Sequence, residues 1–226
     1  MKNIILDGRS LTINDVKAVA RDGAKVAITK DAALRCERGY DVLQEKINQK
    51  IKIYGVTTGF GEFSQVFIEP DQAAQLQLNL IRSHSTGVGD PVSEEVVRAT
   101  MLIRANFITS GLSGGRLLLA QTLVDVLNRR VTPYVLEQGS VGSSGDLAPL
   151  AMMMLTLVGE GQTYFQGKLM SSKRAMTKAG IPLVKLQAKE GLALINGDTF
   201  MAGMGSLELY DALQIAKVSE IAIATT

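Results

Sequence analysis

A mainly α fold with a minor β element is what this sequence predicts, on three observations. Apolar residues recur at spacings of three and four, as in Ala33, Cys36, Tyr40, Leu43 and Ile47, which is the period of one helical face. The run Leu147 to Val158 is apolar almost throughout and is long enough for a buried helix. Strand-like pieces are short, and they fall near residues 3–13 and 163–170.

Bulk properties bound the rest. The chain has 226 residues, enough for one large domain or two small ones, and 46% of them are hydrophobic, enough for a sizeable core. Its net charge is +2 and the basic residues are scattered, which argues against nucleic acid or an anionic membrane surface as partner. Cys36 is the single cysteine, so there is no internal disulfide framework, as suits a reducing compartment. Met1-Lys2-Asn3 precedes only a short apolar run, and no apolar stretch is long enough to span a bilayer. A soluble, cytoplasmic protein is expected.

In chain order, residues 3–13 read as a strand, a turn at Asp7-Gly8 and a second extended piece. Asn14 is placed to cap a small helix that Gly23 closes. A longer helix follows from about Asp31, with Cys36 on its apolar face as a core residue. Ile53 to Gly61 holds three glycines around two aromatics and reads as a loop. Pro70-Asp71 starts a helix that runs towards His84. Ser93 is a candidate N-cap for a helix to about Thr109, with Glu94 and Glu95 in its first turn. Gly111 to Arg116 breaks the pattern before an apolar helix over 117–127. Gln166-Gly167 turns a small hairpin. Met152 to Met154 read as adaptable core filling. His84 is the chain's only histidine and lacks companions for a metal site.

One stretch fits no ordinary element: Gly139-Ser140-Val141-Gly142-Ser143-Ser144-Gly145-Asp146-Leu147-Ala148-Pro149-Leu150. Glycines and small residues let the backbone fold tightly and let other groups approach it. The loop feeds the N-terminus of the Leu147 helix, where unpaired N–H groups favour anionic or electrophilic chemistry. A phosphate loop is excluded, because GxxxxGK[ST] and any Lys or Arg within the loop are missing.

This string resembles the signature of the aromatic amino acid ammonia-lyase family. There an Ala-Ser-Gly tripeptide cyclises autocatalytically to the electrophile 4-methylideneimidazol-5-one. The resemblance makes Ser143, Ser144 and Gly145 the precursor, with Ser at 143 where the family usually has Ala. Ile53 to Gly61 is similar to the family segment whose tyrosine is the proposed base, which is Tyr54 here. Leu80 to Gly89 resembles the selectivity segment, and the Ser83-His84 pair looks like that of histidine ammonia-lyases. An imidazole can exchange hydrogen bonds with a second imidazole, so His84 is the expected substrate-recognition residue. Lys189 to Gly197 resembles a further motif whose asparagine, here Asn196, contacts substrate or prosthetic group. Asp198 replaces the usual Thr, and Met152 stands where a histidine is common.

The resemblance implies the N-terminal part of an ammonia-lyase fold, divided into a domain over 1–199 and the start of a central helical bundle over 200–226. It also implies a homotetramer or a partner chain supplying the C-terminal half, without which the chain is expected to be inactive. The expected reaction is the non-oxidative deamination of L-histidine to trans-urocanate and ammonia, with no metal or dissociable cofactor. The alternatives are a phenylalanine or tyrosine ammonia-lyase or aminomutase, or a catalytically silent assembly partner.

Overall fold

A computed structural model describes residues 3–68, 70–142 and 145–225. Strand β1 (Ile4–Leu6) buries Ile4 and Leu6 and pairs in parallel with β2 (Val26–Ile28). Between them lies α1 (Ile13–Ala20). The second extended piece expected after Asp7-Gly8 forms no strand; it leads into α1. The cap expected at Asn14 is supplied by Thr12, whose hydroxyl accepts from the Asp15 N–H while the Asp15 carboxylate accepts from Thr12 N. This capping box satisfies two donors at once, and it starts the helix earlier than Asn14 would.

Helix α2 (Lys30–Asn48) is capped by Thr29 and buries Cys36. After the 51–68 loop come α3 (Pro70–His84), the short strand β3 (Val88–Pro91) and α4 (Glu94–Thr109). Ser93 occupies the N-cap position of α4 without a side-chain hydrogen bond. Then follow α5 (Leu117–Asn128), β4 (Thr132–Pro133), β5 (Leu136–Gln138) and α6 (Leu147–Val158). Strands β6 (Gln162–Phe165) and β7 (Lys168–Ser171) form the expected hairpin, with Gln166 and Gly167 both at positive φ. The last helices are α7 (Ser172–Ala179), α8 (Glu190–Ile195) and α9 (Thr199–Ala224).

At the centre is α4, packed against α1, α5 and α9. Met101, Leu102, Ala105 and Ile108 on α4 are fully buried. Arg98 on the same helix is also buried, and it donates to the carbonyls of Val19, Ala20 and Leu127. Those groups are the loose C-terminal carbonyls of α1 and α5, where a cation is favourable. Met152 to Met154 lie in the core, as expected of filler.

Only the first half of α9 is held. Gly203 lies so close to Thr100 that a Cβ there would meet its Oγ1 at 2.6 Å, which lets α9 seat on α4. Arg21 ties the helix at Asp211, 2.5 Å away. Beyond that, Leu213, Ile215, Val218, Ile221 and Ile223 are exposed. No helix among the described residues is long and apolar enough to cross a membrane.

Candidate active site

Four separate segments meet at a cleft of about 570 Å3, lined among others by Tyr54, Phe60, His84, Leu147, Lys189 and Asn196. The three side chains expected from the motifs therefore share one cavity, although 142 positions separate the first from the last (196 − 54).

Tyr54 sits on a loop shaped by its threonines. The Thr57 hydroxyl donates to Ile51 O at 2.7 Å and accepts from Ile53 N at 2.8 Å. Gly55 has φ +66, and a Cβ there would meet the Phe60 ring at 2.4 Å, so this turn needs glycine. The Tyr54 ring stands edge-on to Phe60, with centroids 6.0 Å apart. Its phenol oxygen accepts from Gly61 N at 3.1 Å and is otherwise open to the cleft. The phenol's own O–H has no acceptor among the described residues.

Gln77 joins this loop to α8, and its side chain is fully buried. Its Nε2 donates to Gly55 O at 3.2 Å, while its Oε1 accepts from Leu192 N at 3.0 Å. Leu192 N is one of the orphan donors in the first turn of α8, so Gln77 acts as a cap from another helix. Sequence reading missed it, because the only signal is a contact across 115 positions. Gln77→Leu is expected to lower stability by about 1–3 kcal/mol, since a buried carbonyl and a buried N–H lose their partners. Urea unfolding checks this, and a loss below about 0.5 kcal/mol would contradict it.

His84 ends α3. Its Nδ1 lies 2.9 Å from Leu80 O and 3.1 Å from the Ser83 hydroxyl, which itself donates to Leu80 O. A carbonyl oxygen can only accept, so in the neutral ring Nδ1 carries the proton. Nε2 is then left as an acceptor, without a partner among the described residues.

Asn196 follows α8 and is exposed in the cleft, where its side-chain amide makes no hydrogen bond among the described residues. Its backbone oxygen accepts from Arg104 Nη1 at 3.1 Å. The next residue, Gly197, forms a parallel bridge with Gly145. Gly197 O also accepts from Asp146 N at 2.8 Å. A Cβ on Gly145, whose φ is +91, would meet Gly197 O at 2.4 Å, so only glycine permits this approach. Asp146 closes the joint. Its carboxylate accepts from Ser140 Oγ at 3.0 Å and from Met201 N at 2.9 Å, so it caps the first turn of α9 from the loop that precedes α6.

Ser143 and Ser144 lie outside the described residues. On either side of them, Gly145 N donates to Gly142 O at 3.3 Å.

Two further groups were not singled out from sequence. Lys189 takes φ +75, rare for a side-chain-bearing residue, at the cleft wall. Burial pushes its ammonium pKa down, and it makes no ion pair among the described residues. Glu190 is completely buried and accepts from Arg116 Nε and Nη2, both at 2.7 Å, and from Gln187 N at 2.8 Å. Arg116 is the tie that holds α8 to the start of α5. No cluster of three or more metal-ligating side chains occurs among the described residues.

Comparison with known proteins agrees with this geometry. The family model for aromatic amino acid lyases matches residues 11–226. The histidine ammonia-lyase of Streptococcus sanguinis strain SK36 is 50% identical over 219 residues, which is 97% of this chain and 43% of that protein. The crystal structure of histidine ammonia-lyase from Trypanosoma cruzi superposes with a TM-score of 0.91 at 37% identity, covering 99% of this chain and 43% of that one. Tyrosine aminomutase from Streptomyces globisporus gives a TM-score of 0.92 at 37% identity, over 97% of this chain and 41% of that one. The chain thus spans less than half the length of these relatives. With a family match over nearly its whole length, and with its loops folded around one cleft, the chain belongs to the aromatic amino acid lyase family.

Proposed function

We propose that this chain carries one half of the site of a histidine ammonia-lyase, which converts L-histidine to trans-urocanate and ammonia. The observation that supports this best is the shared cleft: Tyr54, His84 and Asn196 line it together with Leu147, two residues beyond Gly145. The names of the relatives at about half identity favour histidine over phenylalanine or tyrosine as substrate.

The prosthetic group is 4-methylideneimidazol-5-one, formed from Ser143, Ser144 and Gly145. The Gly145 nitrogen adds to the carbonyl carbon of Ser143, and its proton passes to that oxygen. The oxygen leaves as water with the Ser144 N–H proton, forming C=N. Ser144 then loses its hydroxyl and α-hydrogen as a second water, forming C=C. Once formed, the group supplies an electrophilic carbon that takes up electron density from the substrate.

The other residues bind substrate and move protons. Nε2 of His84 accepts the N–H of the substrate imidazole. Tyr54, acting as its phenolate, removes the β-proton and becomes neutral, and the Gly61 N–H points at the oxygen that carries the charge before that transfer. The Asn196 amide orients substrate or prosthetic group. The exposed apolar stripe of α9 supports association with other chains, as a homotetramer or with a C-terminal half, since monomers rarely expose such a face. We place the enzyme in the cytoplasm, in keeping with its lone buried thiol.

His84→Leu in the complemented enzyme tests the substrate assignment. The loss of one buried neutral hydrogen bond should lower kcat/KM for histidine roughly ten- to a hundredfold and relax the preference towards phenylalanine. A lower melting temperature with an unchanged preference ratio would make His84 structural and remove the main support for histidine.

A further inference from the structure

Arg104 is the least explained charge in the molecule. It is 1% exposed at the centre of α4, and burial pushes its pKa down to about 10. Its Nη1 donates to Asn196 O at 3.1 Å and Ala193 O at 3.4 Å, while Nε and Nη2 have no acceptor among the described residues. Asp146 and Asp198 are the carboxylates that favour its charge. A buried cation with two unsatisfied donors costs stability, and an apolar residue of similar volume would pack there without that cost. Such unsatisfied groups call for a reason other than folding.

The reason lies in what Arg104 grips. A Cβ at Gly197 would meet Nη2 at 2.9 Å, so the guanidinium reaches this backbone only because residue 197 is glycine. The Asn196-Gly197 turn carries the Asn196 side chain in the cleft, and it carries Gly197 against Gly145 and Asp146. Arg104 therefore sits under a turn that connects the substrate cleft to the electrophile loop.

We propose that Arg104 is a positioning residue for electrophile formation: by clamping the Asn196-Gly197 turn it fixes Gly145, whose nitrogen closes the ring on the Ser143 carbonyl. It acts through Gly197. The proposal rests on the cyclisation described above.

The test is the intact mass of the chain co-expressed with the C-terminal half of a histidine ammonia-lyase, with circular dichroism and melting temperature measured in parallel. Arg104→Met keeps the volume and removes the donors. It should fold with an equal or higher melting temperature and lose the two waters about a hundredfold more slowly, the scale of a small misplacement of reacting groups. Arg104→Lys keeps the charge but loses the planar guanidinium whose Nη1 donates to both carbonyls, and it should also be slowed. Either variant, folded and dehydrated at the unmutated rate, overturns the proposal. Failure of both to fold overturns it too, since Arg104 would then be needed for folding. An unmutated chain that loses no water fails the cyclisation reading itself, and the proposal falls with it.

Discussion

Ser144→Ala, in a chain complemented with its C-terminal half, is expected to abolish turnover, while Ser143→Ala retains or improves it. The two serines are neighbours of one type, yet the chemistry asks different things of them. Position 144 must lose a hydroxyl and an α-hydrogen to create the methylidene, and alanine has no group to lose. Position 143 contributes only its backbone carbonyl, which any small side chain leaves in place. The surrounding turn is shared by both variants: Gly145 would still bridge Gly197, and Asp146 would still cap α9. A general disturbance of the loop would thus lower both activities alike. Measuring kcat for histidine in the two variants separates the cases, and equal losses would sink the assignment of Ser144.

Glu190→Ala is expected to cost about 3–5 kcal/mol of stability, the largest loss expected from any single side chain outside the loop. Glu190 is fully buried, and Arg116 Nε and Nη2 and the Gln187 N–H converge on its two oxygens. Truncation would leave Arg116 Nε and the Gln187 N–H without acceptors and the partly buried Arg116 without a counter-charge, with Nη2 held only by Lys185 O. Replacing the whole pair with apolar residues need not be as costly, because both desolvated charges disappear together. The double variant Arg116→Met with Glu190→Leu is therefore expected to recover more than half of the loss. Urea midpoints at constant slope measure both. A loss under about 1 kcal/mol for Glu190→Ala would show the pair to be as weak as a surface bridge. Since α8 leads directly into Asn196, the cleft should open before the core melts, and hydrogen exchange at Asn196 and Gly197 reports that order.

Much of this architecture was legible because it is local. The bounds of α6 follow from an apolar run between Asp146 and Gly159, and the hairpin at Gln166-Gly167 follows from its turn residues. Tyr54, His84 and Asn196 were legible through their motifs, and the fold brings all three to one cavity. The rest is non-local. Strands β1 and β2 pair in parallel across α1, and each is only three residues long, too short for an alternation pattern. Helices α8 and α9 take their caps from Gln77 and Asp146, while Lys189 and Asp198 at the N-cap positions contribute no side-chain hydrogen bond. Arg104 reads as one more charge on an amphipathic helix until its contacts with the Asn196-Gly197 turn are seen. Capping rules search the neighbouring residues, so a cap that arrives from far along the chain leaves no mark in the sequence.

The central claim is that the chain builds its own electrophile from residues 143–145, and intact-mass measurement tests it most directly. A chain purified after co-expression with a C-terminal half should be lighter than its sequence mass by two waters. Proteolysis should confine the loss to the peptide containing Ser143, Ser144 and Gly145, and Ser144→Ala should not show the complete loss. A chain of full sequence mass, recovered folded and assembled, would contradict the account.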